Sequence, residues 1–221
     1  TIFYTYYETD SLNRRNIFGN SKNDNNHLIF FGCSYTFGDG VDNKNTFPQI
    51  IKNSINEKYS VYNYGVPGYG TQQMLSTLQH GEIKNEINQK KGIAIYVYVP
   101  GIIARNIGAY STFNWSKKYP CYIMKDDSLY YFESTDEAFP LRSKLFKFMH
   151  HFNTFKYLNY HRNIDYPTVN EKDIELTTKM ILESKNIYTS KFPESKFYTL
   201  IFPHLHGIDS NTNLVIESLA N

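Results

Sequence analysis

The chain has 221 residues, with 23 Lys and Arg against 21 Asp and Glu. Its formal charge of +2 lacks the basic excess of a nucleic-acid-binding surface. Hydrophobic residues make up 41% and charged residues 20%, a balance that suits a soluble globular protein able to bury a core. No apolar run approaches the roughly 18 residues of a membrane span. The two cysteines, Cys33 and Cys121, exclude a disulfide framework and show no metal-ligand spacing.

The length fits one domain, spanning 1–221, that carries an insertion. Biased base composition explains the 20 Tyr and 16 Phe as readily as an aromatic groove does. A start at Thr1 rather than Met implies that an N-terminal segment has been removed. We expect a bacterial-type soluble protein and leave its compartment open, export included.

Residues 1–26 are polar and aromatic without periodicity, and read as an arm lying across the domain. His27-Leu28-Ile29-Phe30-Phe31-Gly32 is a continuous apolar run stopped by glycine, as in a strand buried on both faces. Thr46 caps a predicted helix with Phe47, Ile50, Ile51 and Ile55 on one side. A second strand follows in "YSVYNYG". A helix over 71–88 carries Met74, Leu75, Leu78, Ile83 and Ile87 at helical spacing, and "GIAIYVYVPG" is a β-branched and aromatic third strand.

From about 107 to 170 the pattern changes. "CYIMKDDSLYYFES" reads as a hairpin turning at Lys125-Asp126-Asp127-Ser128. Residues 141–161 read as one helix with Leu145, Phe148, Met149, Phe152 and Phe155 apolar. "KFYTLIFP" gives a fourth strand. The tail gives a helix with Leu214, Val215, Ile216 and Leu219 apolar, capped by Ser210 or Asn211. Strands alternating with helices imply an α/β fold with a parallel sheet and sites at its carboxyl edge. The hairpin and helix then form an insertion over that edge. The short spacing between the fourth strand and the last helix suggests a missing fifth strand.

The stretch Phe31-Gly32-Cys33-Ser34-Tyr35-Thr36-Phe37-Gly38 places Ser34 where the first strand turns. There its hydroxyl projects above the sheet edge, and its backbone N–H points at a bound oxyanion. A plain helix cap or a phosphate-binding turn is the competing explanation. Asn63, Gly65 and Gly68 close the second strand in the same way. Gly68 offers a backbone N–H with no side chain in the way, although Pro67-Gly68 also suits a type II turn without function. Cys33 belongs to the buried phase of the strand and reads as a small hydrophobe rather than a thiolate nucleophile. "NYGVPGYG" lacks the Lys and glycine spacing of a nucleotide phosphate loop.

"FFGCSYTFGDGV", followed 29 residues after Ser34 by "NYGVPGYGTQQ", resembles the first two sequence blocks of the SGNH (GDSL-like) hydrolases. "YYETDSLNRRN" is similar to the lead-in of some bacterial members. The resemblance runs from residue 1 to about 106. It implies a flavodoxin-like three-layer α/β/α sandwich and a serine esterase or acyltransferase without metal or organic cofactor. Ser34 takes the nucleophile position, with Cys33 where the name-giving Asp usually sits, and Gly68 takes the oxyanion glycine. The family's third block is Gly-x-Asn. Here "YVPGIIARNIG" offers Asn106, five residues beyond Gly101, as the third oxyanion donor. A variant branch has His-x-x-Arg at this point, which Arg105 matches and Ile102 does not.

The family's base lies in Asp-x-x-His before the last helix. The only such motif here is Asp24-Asn25-Asn26-His27, at the wrong end of a parallel sheet. His206 fits the expected offset, with His204 its nearest competitor. Pro203 stands at the Asp position, and Asp209 is the substitute from the other side. The resemblance implies a small-molecule ester substrate, with an O-acetylated carbohydrate favoured. A sugar O-acetyltransferase is one alternative. The other is a non-catalytic carbohydrate-binding protein, with Tyr122, Tyr130, Tyr131 and Phe132 as a stacking wall.

Overall fold

The computed structural model describes residues 4–21, 24–55, 58–162, 165–203 and 207–220. The apolar run of the first strand becomes β1 (Asn26–Gly32), buried from His27 onward, and Ser34 opens the single-turn helix α1 (Ser34–Phe37). Then come α2 (Phe47–Ser54), β2 (Tyr59–Gly65), α3 (Thr71–His80), α4 (Ile83–Glu86) and β3 (Lys91–Tyr98). The middle of the chain holds α5 (Ile102–Asn106), α6 (Phe113–Ser116), the strands β4 (Cys121–Lys125) and β5 (Ser128–Phe132), and α7 (Thr135–Ala138). It continues with α8 (Pro140–Met149), α9 (Asn153–Arg162) and α10 (Glu171–Lys191). The last elements are β6 (Lys196–Ile201) and α11 (Ser210–Ala220).

β1, β2, β3 and β6 form one parallel sheet in the order β2-β1-β3-β6. β4 and β5 form a separate antiparallel hairpin. The chain is therefore of the α/β class, as the alternation of strands and helices implied. Among the described residues the main sheet has four strands, and β6 leaves Tyr198 and Leu200 exposed.

The chain divides into two compact units. The first comprises Thr1–Tyr69, Met74–Val99 and Glu183–Pro203, and so contains the parallel sheet. Ile29, Phe30, Phe31, Val61, Leu75, Leu78, Tyr96 and Val97 are buried in it. The second comprises Gly70–Gln73, Pro100–Leu182 and His204–Asn221. Tyr110, Phe113 and Phe146 form a buried cluster there, with Met149 against it.

The arm is built into the first unit. Arg15 bridges Asn63 in antiparallel fashion, and the Asn20 side chain exchanges two hydrogen bonds of 2.8 Å with the backbone of Val61. The free edge of β2 is thereby occupied rather than left as an open template for pairing.

Several boundaries differ from those the periodicity suggests. The helix predicted over 71–88 stops at Gly81, whose N–H closes on the Thr77 carbonyl at 3.0 Å, and restarts as α4. The helix predicted over 141–161 is likewise two, α8 and α9, parted at 150–152. Thr46 does cap α2, accepting from the Gln49 N–H. However, α2 buries Pro48, Gln49 and Lys52 and exposes Ile50. The cause is polar: Lys52 Nζ reaches the Tyr59 carbonyl at 2.7 Å and Asp24 at 3.4 Å, while Gln49 holds both backbone groups of Phe18.

α10, at 21 residues the longest helix, has no counterpart in the sequence reading. Its buried face at Thr177, Ile181, Ser184 and Tyr188 carries a hydroxyl at three of these four positions, which dilutes the apolar stripe. Its start was nonetheless written in the chain. The Asn170 side chain accepts from the Lys172 N–H, and the Asp173 carboxylate accepts from the Asn170 N–H, a reciprocal capping box. α11 is capped by Asp209, whose carboxylate accepts from the Thr212 N–H at 3.0 Å and from the Thr212 hydroxyl at 2.6 Å. Ser210 and Asn211, the expected caps, lie inside the helix.

Candidate active site

The first unit presents the turn around Ser34. β1 ends at Gly32, Cys33 is extended, and α1 closes after one turn on Gly38, whose left-handed φ of 82° a side chain would resist. Both the Gly38 and Asp39 N–H groups donate to the Ser34 carbonyl at 2.9 Å. The Ser34 hydroxyl and N–H accept and donate no hydrogen bond among the described residues. Ser34 is partly exposed, and Cys33 beside it is fully buried and unpaired.

Position in the sheet gives this turn its interest. The chain passes from β1 to β2 on one side and places β3 on the other, so the strand order reverses at β1. Such a switch point opens a crevice at the carboxyl ends of the strands, because the two flanking connections run to opposite sides. Ser34 stands two residues past the carboxyl end of β1.

β2 holds the turn from beside it. The Asn63 side chain donates to the Thr36 carbonyl at 2.8 Å and accepts from the Gly65 N–H at 2.9 Å. Gly65 lies so close to α1 that a Cβ there would sit 2.5 Å from the Phe37 nitrogen and 2.8 Å from the Thr36 carbonyl carbon. Past β2, the Tyr69 N–H donates to the Val66 carbonyl and Gly68 has φ 84°, which is the type II turn with Pro67 at its second position. The Gly68 N–H has no hydrogen-bond partner among the described residues.

The arm clamps the same turn. The Tyr7 hydroxyl donates to Asp39 at 2.6 Å and accepts from the Gly40 N–H at 2.8 Å. The Arg15 guanidinium lies 4.3 Å from the Tyr7 ring and 5.0 Å from the Phe37 ring, and donates to the Val41 carbonyl at 2.6 Å. Its Nε and Nη1 are buried without a partner among the described residues, and the two rings face the cation beside them. Burial lowers the Arg15 pKa, opposed by Tyr7, Asp42, Asp39 and Glu8. Asn63, Gly65, Tyr7 and Arg15 are the positioning residues that sequence reasoning left without a role.

His27 and Asp24, set aside as a catalytic pair, are indeed separately engaged. His27 is buried at the opposite end of β1, between the Gln89 carbonyl at 3.1 Å and the Tyr188 hydroxyl at 2.6 Å. Burial pushes its pKa down to about 4. Asp24 pairs with Lys52 and accepts from Ser60.

The second unit holds the other expected residues. Asn106 is buried. Its Oδ1 accepts from the Thr71 N–H at 3.1 Å, and its Nδ2 donates to the hydroxyls of Thr71 at 3.1 Å and Thr177 at 2.9 Å. Both amide protons are therefore engaged in tying α5 to the start of α3 and to α10. His206 and its competitor His204 lie outside the described residues. Asp209, the substitute acid partner, has both carboxylate oxygens on Thr212.

Tyr122, Tyr130, Tyr131 and Phe132 do not make one wall. Strand alternation puts Tyr122 and its cross-strand partner Tyr131 on one face and Tyr130 with Phe132 on the other, and Tyr122 is buried. The same unit has a cavity of about 240 Å³ lined by Tyr122, Met124, Phe139, Arg142, Asp173 and Leu176, among others.

Among the described residues no group of three or more His, Cys, Asp or Glu side chains is placed to hold a metal ion. No described helix is long and apolar enough to cross a membrane.

No protein-family model matches the chain, and no curated protein matches it. Among solved structures it is similar to AlinE4, an SGNH-hydrolase family esterase, at a TM-score of 0.28 and 19% identity over 34% of this chain. That match spans 41% of the esterase. A mutant of the same esterase matches at a TM-score of 0.29 and 10% identity, over 78% of this chain and all of that one.

Proposed function

We propose that the chain is a serine-dependent ester hydrolase of the SGNH type, with Ser34 as its nucleophile. One observation carries this reading: a partly exposed serine with an unengaged hydroxyl opens a one-turn helix at the point where the parallel strand order reverses. Support comes from Gly68, whose N–H has no hydrogen-bond partner among the described residues and lies just past the neighbouring strand. The N-terminal motifs are the sequence-level support.

In the proposed cycle the Ser34 hydroxyl attacks the ester carbonyl while His206 accepts its proton. The Ser34 and Gly68 N–H groups receive the oxyanion. Breakdown expels the alcohol with the proton from His206, and water then releases the acid from the acyl-serine. Asn106 would have to give up a hydrogen bond to Thr71 or Thr177 to serve as a third donor, so two backbone donors form the core of the site. An O-acetylated carbohydrate is the favoured substrate. A sugar hydroxyl replacing water in the second half would make the chain an acetyltransferase.

Hydrolysis of a short-chain aryl ester by wild type and Ser34→Ala tests the reading. Turnover that vanishes in the variant, at unchanged melting temperature, is expected. A folded wild type that binds acetylated sugar without turnover would favour the non-catalytic carbohydrate-binding alternative.

A further inference from the structure

The segment from α8 to α9 carries an apolar ridge that the protein leaves in water. Leu141, Leu145, Phe148, Phe152 and Phe155 recur at alternating steps of four and three. Such spacing normally marks the buried seam of a helix. Here Leu141 is 80% exposed, Phe148 61% and Phe152 45%. The rings are in contact with each other: Phe148 and Phe152 have centroids 5.0 Å apart, and Phe152 and Phe155 6.2 Å. Tyr157 and Tyr160 continue the exposed aromatic surface along α9.

The inward side of α8 is formed separately, by the buried Ser143 and Phe146, so the ridge is not a misplaced core face. Contiguous exposed apolar surface of this kind marks an interaction site. Charge identifies the partner. Residues 140–162 contain Arg142, Lys144, Lys147, Lys156 and Arg162 and neither Asp nor Glu. Lys147 pairs with Asp136 and Arg142 donates to the Ile107 carbonyl, which leaves Lys144 and Lys156 on the surface as exposed cations without an ion-pair partner among the described residues. Lys144 stands one helical turn before Phe148, and Lys156 one turn before Tyr160, so cations flank the rings. A second copy of the same face would oppose lysine to lysine, which argues against self-association.

We propose that the α8–α9 face docks on an anionic lipid surface. Phe148, Phe152 and Phe155 insert at the acyl boundary, and Lys144 and Lys156 sit at headgroup level. This inference is independent of the reaction proposed for Ser34.

The test is flotation of the whole chain with vesicles of phosphatidylcholine alone, or of phosphatidylcholine with phosphatidylglycerol at about 3:1. Binding to the mixed vesicles, weakened by salt and absent from the neutral ones, is expected. Lys144→Gln with Lys156→Gln should weaken partition roughly 20- to 30-fold, since each lysine near an anionic surface contributes about fivefold. Phe148→Ser with Phe152→Ser should abolish it. Both pairs are exposed, so unchanged melting temperatures show that the fold is intact. No binding to either vesicle would overturn the proposal, as would partition indifferent to the lysine pair. Concentration-dependent dimerisation abolished by the Phe148 and Phe152 pair would overturn it too, by assigning the ridge to a second copy of the chain.

Discussion

Replacing Gly65 with Ala probes how the Ser34 turn is held. The added Cβ would lie 2.5 Å from the Phe37 nitrogen and 2.6 Å from the Thr36 Cβ, against about 3.4 Å for ordinary contact. The nearest atom is backbone, so no side-chain rotation relieves it. α1 must move away from β2 by the difference, 3.4 − 2.5 = 0.9 Å. Overpacking of this kind costs about 1–3 kcal/mol, so the melting temperature should fall while the protein still folds. The larger consequence is for reactivity. A nucleophile misplaced by ~1 Å loses roughly 10²-fold in rate. Labelling of Ser34 by a fluorophosphonate, followed well below the melting point, should slow by about that factor. Hydrogen exchange gives a readout independent of chemistry: the Gly38 and Asp39 amides, both bonded to the Ser34 carbonyl, should exchange faster. A folded Gly65→Ala protein with wild-type labelling and exchange rates would refute the idea that the bare backbone of β2 positions α1.

Asn106→Ala should lower stability by about 2–4 kcal/mol, because it removes three buried hydrogen bonds at once. Ser34 labelling in that variant, measured where it is folded, should match wild type; a drop of about 10²–10³ at unchanged stability would instead make Asn106 an oxyanion donor. His27 provides a pH signature. With its folded pKa held down to about 4 against 6.5 unfolded, the unfolded chain takes a proton that the folded chain refuses, so stability falls as pH drops. The His27 contribution should shrink by about 3 kcal/mol between pH 6.5 and 4 and then level off. Urea titrations of wild type and His27→Gln across that range should differ in slope, and parallel curves would contradict the assignment.

Much of the sheet was legible because its strands are stopped by chemistry that acts locally. β1 is an unbroken apolar run ended by Gly32, and β2 ends at Gly65, so the two turns at the carboxyl edge could be placed from the chain alone. What escaped depends on partners distant in sequence. Nothing local marks Arg15 as a buried cation, since its cover comes from Tyr7, Phe37 and the Val41 carbonyl. The offset of Asn106 from Gly101 says nothing about Thr177, which takes one of its protons. The inward turn of Lys52 likewise needs Tyr59 and Asp24 in place before the burial of Ile50 can be ruled out. α10 is a different case, because its hydroxyl-rich buried face hides the period while Asn170 and Asp173 announce the cap.

The central claim is that Ser34 is an activated nucleophile. Intact-mass measurement after exposure to a fluorophosphonate, on wild type and Ser34→Ala, tests it most directly. The account predicts one adduct on wild type and none on the variant, both folded to the same melting temperature. A well-folded wild type without an adduct, or an adduct that persists in Ser34→Ala, would contradict it and leave Ser34 as a turn residue at the end of β1.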